Sequence, residues 1–221
     1  MKIAKSKKDF EHLLKEKQFR VTIFGSARMK RNDPRYREVK RLASMVGERG
    51  MGIVTGGGPG IMEAANRGHV EGRKKSKVDT HSVGLGIKLP HEQVFNKSVG
   101  IHKTFNRFSN RLDNFMLLSN IVVVAPGGVG TLLELFYTWQ LMQVKHICNV
   151  PIILFGDIWE GLLEWLKENP LRRKMFEKGD FNLLYNAKTP EEAIKIVEKT
   201  HQLYLKGDPN VCLNYKRYKL D

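Results

Sequence analysis

Short apolar runs alternate with longer amphipathic ones along this chain. Residues 21–24, 51–55, 81–89, 120–125 and 151–156 are each rich in Val, Ile, Leu or Phe and end at glycine, proline or small polar residues, which predicts strands. The runs NIVVVA and PIILFG carry no polar residue in their centres, the pattern of a sheet buried on both faces. Between them lie segments with helical spacing. After Pro34, the residues Val39, Leu42, Ala43 and Val46 share one face, and Gly50 provides the stop. Further helices are predicted over PGIMEAANRG and over residues 104–119, 131–144, 158–167 and 190–205. A polar helix over residues 6–17 would set Phe10, Leu13 and Leu14 on one side, and residues 90–102 read as a loop. Strands alternating with helices predict right-handed βαβ units and a single-domain, Rossmann-like, doubly wound parallel sheet. The expected division is an N-terminal helical extension (1–18), the nucleotide-binding domain (19–206) and a basic C-terminal tail (207–221).

In such a sheet a ligand sits beyond the carboxyl ends of the strands. Three strand ends carry small, flexible residues there: Gly25-Ser26, residues 55–60 and residues 126–131. A helix N-terminus after each turn offers unpaired N–H groups to an anion, and the Ser26 and Thr131 hydroxyls could add donors. Neither glycine turn matches GxGxxG or the P-loop pattern. Glu134 follows Thr131 by one helical turn and is expected to point back to the pocket mouth. Arg111 lies on the helix before the strand that delivers this loop, within reach of a phosphate or a carboxylate. A dipole-favoured carboxylate and a surface ion pair are the plainer roles for these two residues, and position alone does not choose.

Composition bounds the rest. The chain has 221 residues, 41% hydrophobic and 28% charged, enough to bury a core without staples. Its 38 basic against 23 acidic residues give a net charge of +15, concentrated at residues 5–8, 28–37, 73–77, 172–174 and 216–219. A solvated basic surface or attraction of phosphorylated ligands accounts for this, and no nucleic-acid recognition module appears. Cys148 and Cys212 have no metal-ligand spacing, and Cys148 reads as a small structural side chain. His102, His146 and His201 lack ligand-like spacing, so no metal is expected. The N-terminal residues have no signal-peptide pattern and no apolar stretch is long enough to span a bilayer, which leads to a cytoplasmic expectation. The run LLELFYTWQLMQ is apolar all round and is expected in a core or against a partner.

VTGGGPGIMEAANRG (54–68) and PGGVGTLLE (126–134) resemble the two signature motifs of the LOG ("Lonely Guy") family, cytokinin riboside 5′-monophosphate phosphoribohydrolases often labelled lysine decarboxylases. The resemblance covers residues 21–165, and GSAR (25–28), LPHEQ (89–93) and Asn96 are similar to the longer bacterial branch. It implies hydrolysis of the N-glycosidic bond of AMP or an N6-modified AMP to free base and ribose 5-phosphate, without metal or organic cofactor, in a homodimer with shared active sites. It implies Glu134 and Arg111 as the catalytic pair, with Arg107 the other candidate arginine. Ser26, Gly57, Gly58, Gly127, Gly128, Gly130 and Thr131 would bind the nucleotide and its phosphate. Four positions depart from the family pattern: Leu112 stands where it has lysine, Phe115 where it has methionine, Asn120 where it has aspartate, and Val129 where a larger residue is usual. The alternative is a non-catalytic nucleotide or molybdenum-cofactor binder of the same superfamily. Pyridoxal chemistry is not expected, because no lysine has a Schiff-base setting.

Overall fold

Mostly β-branched and aromatic side chains, with Thr22 a polar residue within β1, make β1 (Arg20–Phe24) and β5 (Ile121–Val124) neighbours at the centre of a parallel sheet, paired from Val21–Ile121 to Phe24–Val124. The computed structural model describes residues 7–90 and 94–208. The sheet has seven strands in the order β4-β3-β2-β1-β5-β6-β7, all parallel. The others are β2 (Gly52–Thr55), β3 (Ser82–Ile87), β4 (Ile101–Phe105), β6 (Ile152–Phe155) and β7 (Leu184–Ala187). Helices α2 (Pro34–Glu48), α3 (Ile61–Ser76) and α7 (Pro190–Leu205) enclose a core over one face with Val39, Leu42, Ile61 and Val197. Over the other, α1 (Lys7–Lys15), α4 (Phe108–Leu118), α5 (Val129–Gln143) and α6 (Glu160–Leu166) close a core with Phe115, Leu135, Trp139 and Leu163. This is the doubly wound single domain expected from the alternation.

The chain order reverses between β1 and β5, so their carboxyl ends diverge and leave a crevice. Two edge strands depart from the sequence expectation. β4 lies where a loop and a helix start were expected, and the helix begins only at Phe108. β4 alternates buried Ile101 and Phe105 with more open His102, Lys103 and Thr104, while β7 keeps only Ala187 buried. Neither has the continuous apolar run of an inner strand, because an edge strand is covered less. Cys148 is buried and disulfide-bonded, so it is a cross-link rather than a simple packing side chain. Residues 5, 91–93, 212 and 216–219 lie outside the described residues.

Helices α2 and α3 meet backbone to backbone. A Cβ at Gly68 or Gly72 would run into the main chain of Lys40 or Ser44. Gly72→Ala is therefore expected to destabilise by about 1–3 kcal/mol through overpacking. In a thermal melt this should appear as a Tm lower by several degrees, while an unchanged Tm would show that the helices can separate freely.

Candidate active site

The crevice between the ends of β1 and β5 opens into a cavity of about 550 Å³, within the size range of small-ligand sites. The turn after β1 supplies Gly25, Ser26, Ala27 and Arg28, and the start of α5 supplies Gly128, Val129, Gly130, Thr131 and Glu134. Arg111 enters from α4, and Ile23, Met62, Ile87, Leu89 and Phe108 form apolar wall. Ser26 ties the two sides together: its N–H donates to Pro126 O at 3.0 Å, and its carbonyl accepts from Ile61 N at 2.9 Å.

α5 begins at Gly128 without any side-chain cap and has no acidic residue in its first turn. Its first N–H groups have no intrahelical acceptors and the positive end of its dipole faces the cavity, the setting for a phosphate. Thr131 is buried beside them, its side chain filling the place that a Cβ on Gly127 would need. Gly127 thus shapes the turn from behind while Gly128, Gly130 and Thr131 line the cavity.

Glu134 and Arg111 face each other inside this cavity. Arg111 Nη1 lies 3.6 Å from Glu134 Oε1, an ion pair longer than a hydrogen bond, with the side chains 11% and 12% exposed. The two groups attract without a bidentate clamp, leaving carboxylate lone pairs available to a ligand or water. Burial pushes the Glu134 carboxyl up to about 7, and the Arg111 guanidinium offsets part of that rise. Burial also lowers the Arg111 guanidinium from its usual value, and the Glu134 charge opposes this. Three contacts fix Arg111. Its Nε donates to Leu85 O on β3 at 2.7 Å, its guanidinium carbon lies 5.1 Å from the Phe115 ring centroid, and it presses against Gly56, where a Cβ would overlap it. Phe115 is held edge-on against Phe24 at 4.9 Å, so this departure from the family pattern is a platform under the arginine.

The structure brings Ser26, Arg111, Gly128, Gly130, Thr131 and Glu134 around one cavity. Arg107 is the exposed N-cap residue of α4 and does not line it. Asn120 works in the scaffold, its Oδ1 accepting from Arg20 N at 2.8 Å. Gly57 and Gly58 line a small adjoining recess with Phe95 and Thr104, which shares Gly56 and Ile87 with the cavity. The Gly57 N–H is already taken by Thr55 Oγ1 at 2.9 Å, and both carbonyls accept from Asn96. The sequence showed a flexible turn here but not which way its backbone faces. It also gave no sign of Leu89 and Phe108 as wall, since single apolar residues carry no positional signal.

A family model described as "possible lysine decarboxylase" matches residues 62–197. The pyrimidine/purine nucleotide 5′-monophosphate nucleosidase of Escherichia coli K12 is 29% identical over 133 residues. That alignment covers 57% of this chain and 28% of the relative, so the chain spans less than a third of the curated relative's length. Among solved structures, the molybdenum cofactor carrier protein of Chlamydomonas reinhardtii superposes with a TM-score of 0.60 at 21% identity, covering 84% of this chain and 99% of that one. The molybdenum cofactor binding protein of Rippkaea orientalis gives 0.58 at 21% identity, covering 82% and 96%. At these identities the structures share the fold.

Proposed function

The chain belongs to the family described as possible lysine decarboxylase, the LOG family, and from that membership and the Arg111–Glu134 cavity we propose that it is a nucleoside 5′-monophosphate phosphoribohydrolase. The observation that carries this reading is one acidic and one basic side chain, both nearly buried, lining the same cavity as the uncapped N-terminus of α5. A 5′-phosphate placed on the N–H groups of Gly130 and Thr131, with Ser26 at the rim, would set the ribose over Glu134. Breaking the bond between C1′ and the base nitrogen builds positive charge on the sugar. A poorly solvated carboxylate stabilises that charge strongly. Water adds to C1′ and passes a proton to Glu134, the base leaves with the bond's electron pair and takes up a proton, and ribose 5-phosphate remains. Arg111 holds part of the Glu134 population ionised. Binding at the phosphate, remote from the reacting bond, positions the sugar.

The walls of Ile87, Leu89 and Phe108 suit a flat apolar base, and AMP or an N6-modified AMP is the proposed substrate class. None of the cavity's described lining residues is a lysine, so pyridoxal-type decarboxylation has no Schiff-base partner there. The test is to incubate the purified protein with a panel of purine and pyrimidine monophosphates and follow free base by chromatography. Base released from AMP but not from adenosine supports the reading. Binding of AMP by calorimetry with no release from any monophosphate would favour the non-catalytic binder.

The proposed homodimer has its own support. α5 buries Leu135, Thr138, Trp139 and Met142, while Val129, Leu133 and Phe136 stand exposed at i, i+4 and i+7 beside the cavity. Such a stripe suits the isologous interface of a twofold dimer. Leu133→Asp is expected to halve the mass seen by sedimentation velocity. A wild-type protein already monomeric at micromolar concentration would remove the dimer.

A further inference from the structure

Between β3 and β4 the chain must travel back along the sheet, and residues 94–100 of this connection lie over the glycine turn that follows β2. Phe95 fits a slot made by the absence of side chains, since a Cβ at Gly57, Gly84 or Gly86 would strike its ring. The ring is covered by His102 at 4.5 Å between centroids. Asn96 beside it makes a dense set of bonds. Its N–H donates to Gly57 O at 2.8 Å, and its Nδ2 donates to Gly57 O, Gly58 O and Asn66 Oδ1, each at 3.0 Å. Asn66, fully buried, accepts from Thr55 Oγ1 at 2.8 Å and donates to Ser82 Oγ at 2.9 Å. Three segments are thereby joined: the end of β2, the start of β3 and the return segment.

These are the segments that hold Arg111. Gly56, which its guanidinium touches, directly precedes the two glycines that Asn96 binds. Leu85, whose carbonyl receives Arg111 Nε, lies between the two glycines under the Phe95 ring. We propose that Phe95 and Asn96 are positioning residues for the reaction: a clasp that fixes the Gly56–Leu85 seat and so holds the Arg111 guanidinium at its working distance from Glu134. The inference rests on the reading of Arg111 and Glu134 as a functional pair. Neither clasp residue is offered as touching substrate, and loss of either acts through the arginine.

The consequence is measurable at Glu134. Arg111 is its paired cation, and among the described residues Arg28 is the other charged side chain lining the cavity. When the seat loosens, the carboxyl loses its nearest positive charge and titrates at higher pH. The experiment compares wild type, Asn96→Ala and Phe95→Leu. It follows the Glu134 carboxyl band by infrared titration of unliganded protein, with Glu134→Gln as the blank, then the pH profile of kcat with AMP, and Tm. The expected result is a higher titration midpoint, an acid limb of kcat displaced by the same amount, and kcat at neutral pH lower by about tenfold or more. A folded variant with unchanged midpoint and kcat, whatever its Tm, overturns the clasp. If Asn96→Ala does not fold, the milder Phe95→Leu decides by the same readouts. A moved midpoint in a protein that releases no base from any monophosphate keeps the clasp and removes the hydrolase reading, whereas activity with an unmoved midpoint does the reverse.

Discussion

Glu134→Gln is expected to lower base release from AMP by about 10³-fold or more while leaving AMP binding within a few-fold of wild type. Glutamine keeps the shape of the side chain and its place in the cavity but can neither carry the negative charge nor take a proton from water. Initial rates and calorimetry on the same preparation check both halves. A variant with more than a tenth of wild-type activity would remove Glu134 from the chemistry. The pH dependence follows from the carboxyl lying near 7. The ionised form is the one that stabilises a sugar cation, so kcat/KM in wild type should rise through about pH 7 and level off above it. Stability runs the other way. A carboxyl whose folded value is raised from 4.5 binds its proton more tightly in the folded protein, so stability declines as pH climbs from about 4.5 to 7 and stays lower above. Glu134→Gln lacks this loss and should gain stability relative to wild type over that window, by a few kcal/mol at most. Thermal melts of both proteins at pH 5 and pH 8 measure it.

Arg111→Met should produce the second large loss, about 10²-fold or more in kcat/KM, because methionine keeps contact with Phe115 but brings no charge. The same change pushes the Glu134 carboxyl further up by removing the charge that holds it down. Activity should therefore recover partly at higher pH, where wild type is already on its plateau. Removing one partner of a buried pair costs about 3–5 kcal/mol when the other stays charged. Here the abandoned carboxyl can take up a proton, so the destabilisation should be small at pH 6 and grow towards pH 9. Denaturant unfolding across that range, with equal losses at both ends, would show that the pair is not coupled in this way.

The parts of the molecule legible in the sequence are those encoded locally. Uninterrupted apolar runs, IVVV and IILF, mark β5 and β6, and glycine and proline at strand ends mark the turns, so the alternation and the place of the crevice could be read directly. Glu134 was legible because it sits one turn after Thr131 on the same helix. Arg111 was named by its spacing from the loop, yet its setting depends on Leu85 and Gly56, far away in the chain. β4 and β7 escaped because edge strands need apolar residues on only part of their surface. Gly57 and Gly58 were legible as a flexible turn, but what packs against that turn was not. The partner that claims their carbonyls, Asn96, lies 39 residues from Gly57.

The seam between α2 and α3 leaves nowhere for one helix to slide past the other, since their main chains already touch at Gly68 and Gly72. That flank of the sheet behaves as a stiff plate with β1 and β2 fastened to it. A ligand arriving at the crevice meets one unyielding jaw on the β1–β2 side, and accommodation falls to the opposite jaw, where α5 starts at Gly128 without a side-chain cap. Amide exchange should be slowest along the plate, and the protection gained on AMP binding should fall almost wholly on that other side.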